Sequence, residues 1–136
     1  MAAQVAPYLM LEGKTREAID FYKNVMNAKV VTVTTYGEME MPCPGSYQDH
    51  IAYALLKIGD TDLMFSDSPD IPVKTGNQVQ ITISTKDANE ARQIFEALKQ
   101  DGRVNAELEE TPFSPAFGNV TDKFGVTFQI VALYEG

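Results

Sequence analysis

A chain of 136 residues, 44% of them hydrophobic, has the size of one domain with a proper core, and two large domains are excluded. Its 19 Asp and Glu against 11 Lys and Arg give a dispersed net charge of −8, which repels phosphate backbones and anionic lipid, so neither nucleic acid nor membrane is expected as a partner. Cys43 is alone, which rules out an intramolecular disulfide and leaves a cysteine-based zinc site without ligands. The first residues hold neither a basic nor a long apolar stretch, and no apolar run approaches the ~20 residues that span a bilayer, so a cytoplasmic protein is expected.

Val5 to Leu11 reads as a strand with Pro7 near its start, closed by Gly13. Thr15 then stands before Arg16, Glu17 and Ala18, and Ala18, Ile19, Tyr22, Val25 and Met26 follow helical spacing, which predicts a helix from Thr15 to Asn27. Lys29 to Tyr36 is rich in Val and Thr and reads as a strand. Gly37 to Gln48 reads as a loop, in which Met39 and Met41 offer thioethers to a ligand or to a second subunit. His50 to Ile58 and Asp62 to Ser66 read as strands of a hairpin turning at Gly59-Asp60. The Pro-rich stretch around 69–77 is a linker between a module at about 5–68 and one at about 78–134, within a single domain of residues 1–136.

The second module opens with Gln78 to Thr85, in strict alternation. Asp87 is a helix N-cap with Glu90 in capping-box spacing, the helix continues through Ala91, Ile94, Phe95 and Leu98, and Gly102 ends it. Val104 to Leu108 is a further strand. Phe117 to Val131 reads as a β-hairpin around Asp122-Lys123-Phe124-Gly125, with a side-chain acceptor at the start of the turn and positive φ at its glycine. Val126, Phe128 and Ile130 fall on one face of the last strand, and Thr127, Gln129 and Val131 on the other. An uncharged amide centred on that second face points to a ligand cavity beside Gln129. The order is β-α-β-β-β twice, an α+β fold, and Glu17-Ala18 and Glu90-Ala91 stand 73 residues apart (90 minus 17), an offset that also pairs Tyr22 with Phe95 and Pro7 with Gln80. One helix per module covers one face of each sheet, and the two open faces are expected to form a cup.

The paired βαβββ order, the segment Arg16 to Tyr22 and the ending Val120-Thr121-Asp122-Lys123-Phe124-Gly125-Val126 resemble the vicinal oxygen chelate superfamily of glyoxalase I, bleomycin and fosfomycin resistance proteins and extradiol dioxygenases. The Pro7-Tyr8-Leu9 start, His50, and Leu63 to Asp67 resemble its PhnB-like branch. The resemblance implies a glyoxalase-like, cupped, partly open mixed β-barrel with helices outside, and pairing into a homodimer. It also implies a metal on the cup-lining strands, where this chain offers Pro7 or Tyr8, Phe65 or Ser66, Gln80 and Gln129. None is His, Asp or Glu, so no metal and no cofactor is expected.

The candidate ligand pocket is Pro7, Leu9, Phe65, Gln80, Thr82, Phe113, Phe117, Thr127 and Gln129. Gln80 and Gln129 read either as pocket amides or as partly exposed sheet residues, and Phe113 and Phe117 as a lid over an apolar ligand or as a plug for the core. His50 is either a hydrogen-bonded structural residue or a general acid or base. Asp67 is either a cap for the linker that follows it or a metal ligand or pocket base. The expected function is binding of a small, largely apolar molecule in the cup without an obligatory metal. The alternatives are a metal-dependent lyase or dioxygenase, and a protein that sequesters an antibiotic. Methyltransferase activity is not expected, because no Gly-rich turn follows a parallel strand.

Overall fold

A computed structural model describes residues 3–40, 42–43, 45–69 and 71–134; Met41 lies outside them. The chain divides into two units, Met1–Lys74 and Thr75–Gly136. The first holds β1 (Tyr8–Leu11), α1 (Thr15–Met26), β2 (Lys29–Thr35), α2 (Tyr36–Met39), β3 (Ile51–Ile58) and β4 (Thr61–Asp67). The second holds β5 (Ile81–Thr85), α3 (Ala88–Leu98), β6 (Arg103–Thr111), β7 (Ser114–Thr121) and β8 (Thr127–Ala132). Each is a βαβββ module with a four-stranded mixed sheet, ordered β1-β4-β3-β2 in one and β5-β8-β7-β6 in the other. The first and last strands of each module pair in parallel, and the remaining pairs are antiparallel.

In the first unit, α1 buries Ala18, Ile19 and Tyr22, a stripe at helical spacing. Tyr22 stacks on Phe65 of β4 with ring centroids 5.7 Å apart. Thr15 is the first helical residue rather than the cap; the N-cap position falls on Lys14, which supplies no side-chain bond. The cap comes instead from β4, where Asp67 Oδ1 accepts from the Thr15 backbone N–H at 3.0 Å across 52 residues of sequence. Asn27 ends the helix in the left-handed conformation at φ 52°.

The stretch expected to be a loop after β2 opens with a helical turn, α2. Thr35 and Glu38 form a capping box there: Thr35 Oγ1 accepts from Glu38 N–H, and Glu38 Oε1 accepts from the Thr35 backbone N–H. The Thr35 backbone N–H first, and its hydroxyl second, hold the Glu38 carboxyl below its ordinary value. Because the folded value is the depressed one, this contact contributes above the unfolded-state value and is lost as pH falls through the lowered one. A carbon-13 carboxyl titration should therefore place the Glu38 midpoint below that of an unstructured Glu peptide, and a midpoint at or above the peptide value contradicts the capping box.

In the second unit Asp87 caps α3 as expected, its Oδ1 accepting from Glu90 N–H at 2.8 Å. α3 ends at Leu98, and the left-handed residue that follows is Asp101 at φ 58°, not Gly102. Gly102 is required for another reason: a Cβ there would sit 2.4 Å from the Thr121 carbonyl oxygen. In the β7–β8 hairpin, Asp122 Oδ1 accepts from Phe124 and Val126 N–H, and Gly125 takes φ 87°.

The 73-residue offset holds for the helices, whose first residues are Thr15 and Ala88, but not for the strands that precede them. Three residues separate β1 from α1 and two separate β5 from α3, so Leu11 corresponds to Thr85 at an offset of 74 (85 minus 11). A one-residue slip exchanges the faces of a strand. It decides which side chains of β1 lie under α1.

Candidate functional site

The second sheet has one face under α3 and one face without a helix from its own unit. Gly118 marks the covered face, since a Cβ there would meet Phe95 of α3 at 2.8 Å. Its register partner Ile130 shares that face, as do the fully buried pair Val120 and Phe128. Alternation then puts Phe117, Asn119 and Thr121 of β7 on the opposite face, paired in register with Val131, Gln129 and Thr127 of β8. Thr82 of β5 lies beside Gln129 on the same face.

Asn119, Thr121, Thr127 and Gln129 join Gln80, Arg103 and Asn105 in one connected polar network. Arg103 Nε–H donates to Asn105 Oδ1 at 3.2 Å, and Asn105 Nδ2 donates to Asn119 Oδ1 at 2.9 Å and to Thr121 Oγ1 at 3.0 Å. Asn119 Nδ2 and Gln129 Nε2 both donate to Gln80 Oε1, at 3.0 and 3.2 Å. Gln80 Nε2 donates to the Asn77 carbonyl at 3.0 Å, and the Thr121 and Thr127 hydroxyls stand 2.8 Å apart. One end of the face is apolar, with Phe117 beside Val131 and Phe113 edge-on to Phe117 at 5.1 Å between ring centroids. The other end opens into a cleft of about 510 Å³ lined by Asn77, Gly102, Arg103, Thr121, Lys123 and Thr127 among others.

Gln80, Thr82, Thr127, Gln129 and Phe117 thus converge, with Thr82 exposed and Thr127 buried. Phe113 is 62% exposed at the β6–β7 turn, so it does not plug a core. Sequence reasoning missed Asn77, Arg103, Asn105 and Asn119. Hairpin counting was available for one of them, because stepping back from the Asp122 to Gly125 turn sets Asn119 opposite Gln129.

Two candidates from the first unit belong elsewhere. Phe65 is 0% exposed against Tyr22 of α1, and Leu9 pairs with it in register, so both face α1 rather than the sheet's other side. The side chains on that other side are Tyr8, Met10, Met64 and Ser66, with Met64 in the place that Gln129 takes in the second unit. Pro7 precedes β1, half-buried, and its carbonyl accepts from Met64 N–H.

Asp67 is 1% exposed, and both carboxylate oxygens are engaged: Oδ1 with Thr15 N–H and Oδ2 with Ile51 N–H, each at 3.0 Å. Its carbonyl accepts from the Tyr36 hydroxyl at 2.7 Å. It caps α1 and the start of β3, neither capping the linker nor facing a pocket. His50 packs edge-on to Tyr47 at 4.2 Å and against Gly13, whose added Cβ would stand 3.2 Å from its ring. Among the described residues its buried Nδ1 has no hydrogen-bond partner, while its backbone pairs with Tyr36 and Tyr47.

The resemblance to metalloenzymes implies a divalent ion, and the residues present do not fit one. At the implied strand positions the second unit supplies Gln80 and Gln129, neutral amides bonded to each other, and the first supplies the hydroxyls of Tyr8 and Ser66. Such sites draw their affinity from imidazole or carboxylate donors. Among the described residues, no three His, Cys, Asp or Glu side chains come together in a group able to hold a metal.

The family model described as 3-demethylubiquinone-9 3-methyltransferase matches residues 3–131. Protein YjdN of Escherichia coli (strain K12) is 28% identical over 136 residues, covering 93% of this chain and 92% of its own. Protein PA1353 from Pseudomonas aeruginosa superposes with a TM-score of 0.88 at 30% identity, over 98% of this chain and 100% of its own. The PhnB protein from Bacillus cereus does so with 0.82 at 25% identity, over 96% and 99%.

Proposed function

We propose, because the chain belongs to the family described as 3-demethylubiquinone-9 3-methyltransferase, in the PhnB-like branch of the vicinal oxygen chelate superfamily, that it binds a small, largely apolar molecule without an obligatory metal. The observation that carries this reading is the helix-free face of the second sheet, where the apolar pair Phe117 and Val131 adjoins the amide pair Asn119 and Gln129. Apolar walls with a few convergent polar groups are what small-molecule sites are made of.

The family's description does not extend to methyl transfer in this reading. A nucleotide-derived methyl donor is usually held at a Gly-rich turn whose following helix N-terminus is free. Here the turn after β1 leads into a helix N-terminus filled by Asp67, and the turn after β5 into one filled by Asp87. Among the described residues no helix is long and apolar enough to cross a membrane, and with the lone Cys43 this supports a cytoplasmic location. A second copy of the chain is the partner we assign, supported by the exposed apolar side chains Tyr8 and Met10 of β1 and Val31 and Val33 of β2.

Protein purified without chelators should carry far less than one equivalent of any transition metal by elemental analysis and should sediment as a dimer. Apolar probes should perturb the side-chain amide signals of Gln80, Asn119 and Gln129. One equivalent of nickel, zinc or iron, bound at these strands, would overturn the reading in favour of a lyase or dioxygenase.

A further inference from the structure

A carboxamide is nearly symmetric in outline, so which end is oxygen is decided by the neighbours that cannot switch roles. The second sheet has two such neighbours. Arg103 can only donate, so the Asn105 oxygen must face it, which turns the Asn105 nitrogen toward the Asn119 oxygen and the Asn119 nitrogen toward Gln80. At the other end the Asn77 carbonyl can only accept, so Gln80 must give it Nε2 and turn Oε1 inward. Both ends impose the same direction on the chain of amides. Gln129 meets the Gln80 oxygen and must donate to it.

Gln129 Oε1 is what remains. Among the described residues nothing donates to it, and Gln129 stands on β8 between Val131 at the apolar end and Thr127 in the polar network. Its second Nε2–H is uncommitted too, but Nε2 already has one partner at Gln80 and Oε1 has none, so a ligand that displaces water from this oxygen must supply a donor in its place. Thr82, the register partner of Gln129 on β5, brings a hydroxyl to the same place.

Resting on the proposed binding face, we infer that Gln129 is a specificity-determining residue presenting a fixed hydrogen-bond acceptor, so the ligand class is an apolar molecule carrying a hydroxyl or N–H. Rotating that amide would set oxygen against oxygen at Gln80, and rotating Gln80 in turn would set its oxygen against the Asn77 carbonyl. The preference is therefore held by the whole row from Arg103 to Asn77.

The test is a matched pair of probes, phenol and its methyl ether anisole, titrated at millimolar concentration while the Gln129 side-chain amide is followed by nitrogen-15 NMR. Phenol should bind about tenfold more tightly, the discrimination expected when one acceptor is left unpaired, and Gln129→Met should reduce that ratio to near one. Neutron diffraction from deuterated crystals of the unliganded protein reads the orientation without any ligand, and the Gln129 deuterons should point at Gln80 Oε1. Equal binding of the two probes, or deuterons turned away from Gln80, overturns the inference while leaving small-molecule binding in place. Silence from both probes overturns the binding face and the inference together.

Discussion

Asp67→Ala is expected to lower the unfolding free energy by roughly 3–5 kcal/mol, because it strands two buried backbone donors at once, each worth about 1–3 kcal/mol when unpaired. Those donors are the N–H groups of Thr15 and Ile51, which belong to different elements, α1 and β3. The carboxylate also faces the positive end of α1, an attraction that alanine removes. Asp67→Asn keeps the shape and one acceptor but sets an NH2 group against the other N–H, so about half of that loss is expected, roughly 2 kcal/mol. Urea unfolding followed by circular dichroism measures both. A catalytic or metal-binding carboxylate would behave in the opposite way, its replacement costing activity while stability held or rose. A change below about 1 kcal/mol for the alanine variant would contradict the capping role.

Phe65→Ala is expected to cost roughly 3–5 kcal/mol, the range for emptying a buried aromatic site that cannot fully collapse. Phe65 is closed in by Tyr22 from above and by Leu9 and Ala54 as register partners on either side. Phe65→Leu should cost less, since most of the volume is retained. Neither change should alter binding of an apolar probe to the second sheet, because Phe65 faces α1. Equal stability together with weakened probe binding would instead return Phe65 to a ligand pocket.

The residues that declared themselves in the sequence were those whose reasons are local. Asp87 with Glu90 marks a helix start within four residues, and Asp122 with Gly125 marks a turn within four, so each could be read without knowing the rest of the chain. The Thr35 and Glu38 capping box was legible in the same way, but the Pro and Met residues around it made the stretch read as loop. Asp67 was opaque because its partners lie 52 and 16 residues away. The face of β1 was misread for a different reason: the helices fix the repeat at one spacing, and an extra residue in the turn after β1 moves that strand by one. Alternation has period two, so that single residue exchanged Leu9 with Tyr8, while on β4, where Phe65 and Ser66 were both open, it is Phe65 that pairs with Leu9 under α1. On β8 no such slip intervened, and Gln129 stood where the pattern put it.

In each module the strand synthesised first is hydrogen-bonded to the strand synthesised last: β1 runs beside β4, Tyr8 against Met64, and β5 beside β8, Ile81 against Phe128. A nascent first module leaves the ribosome with β1 lacking its neighbour until nearly all of that module has emerged, while the antiparallel hairpins can zip as they appear. Closing so long a loop is an entropic barrier that local contacts do not repay in advance. The waiting segment Tyr8-Leu9-Met10-Leu11 is apolar throughout, the kind of strand that a holdase chaperone would shield during translation.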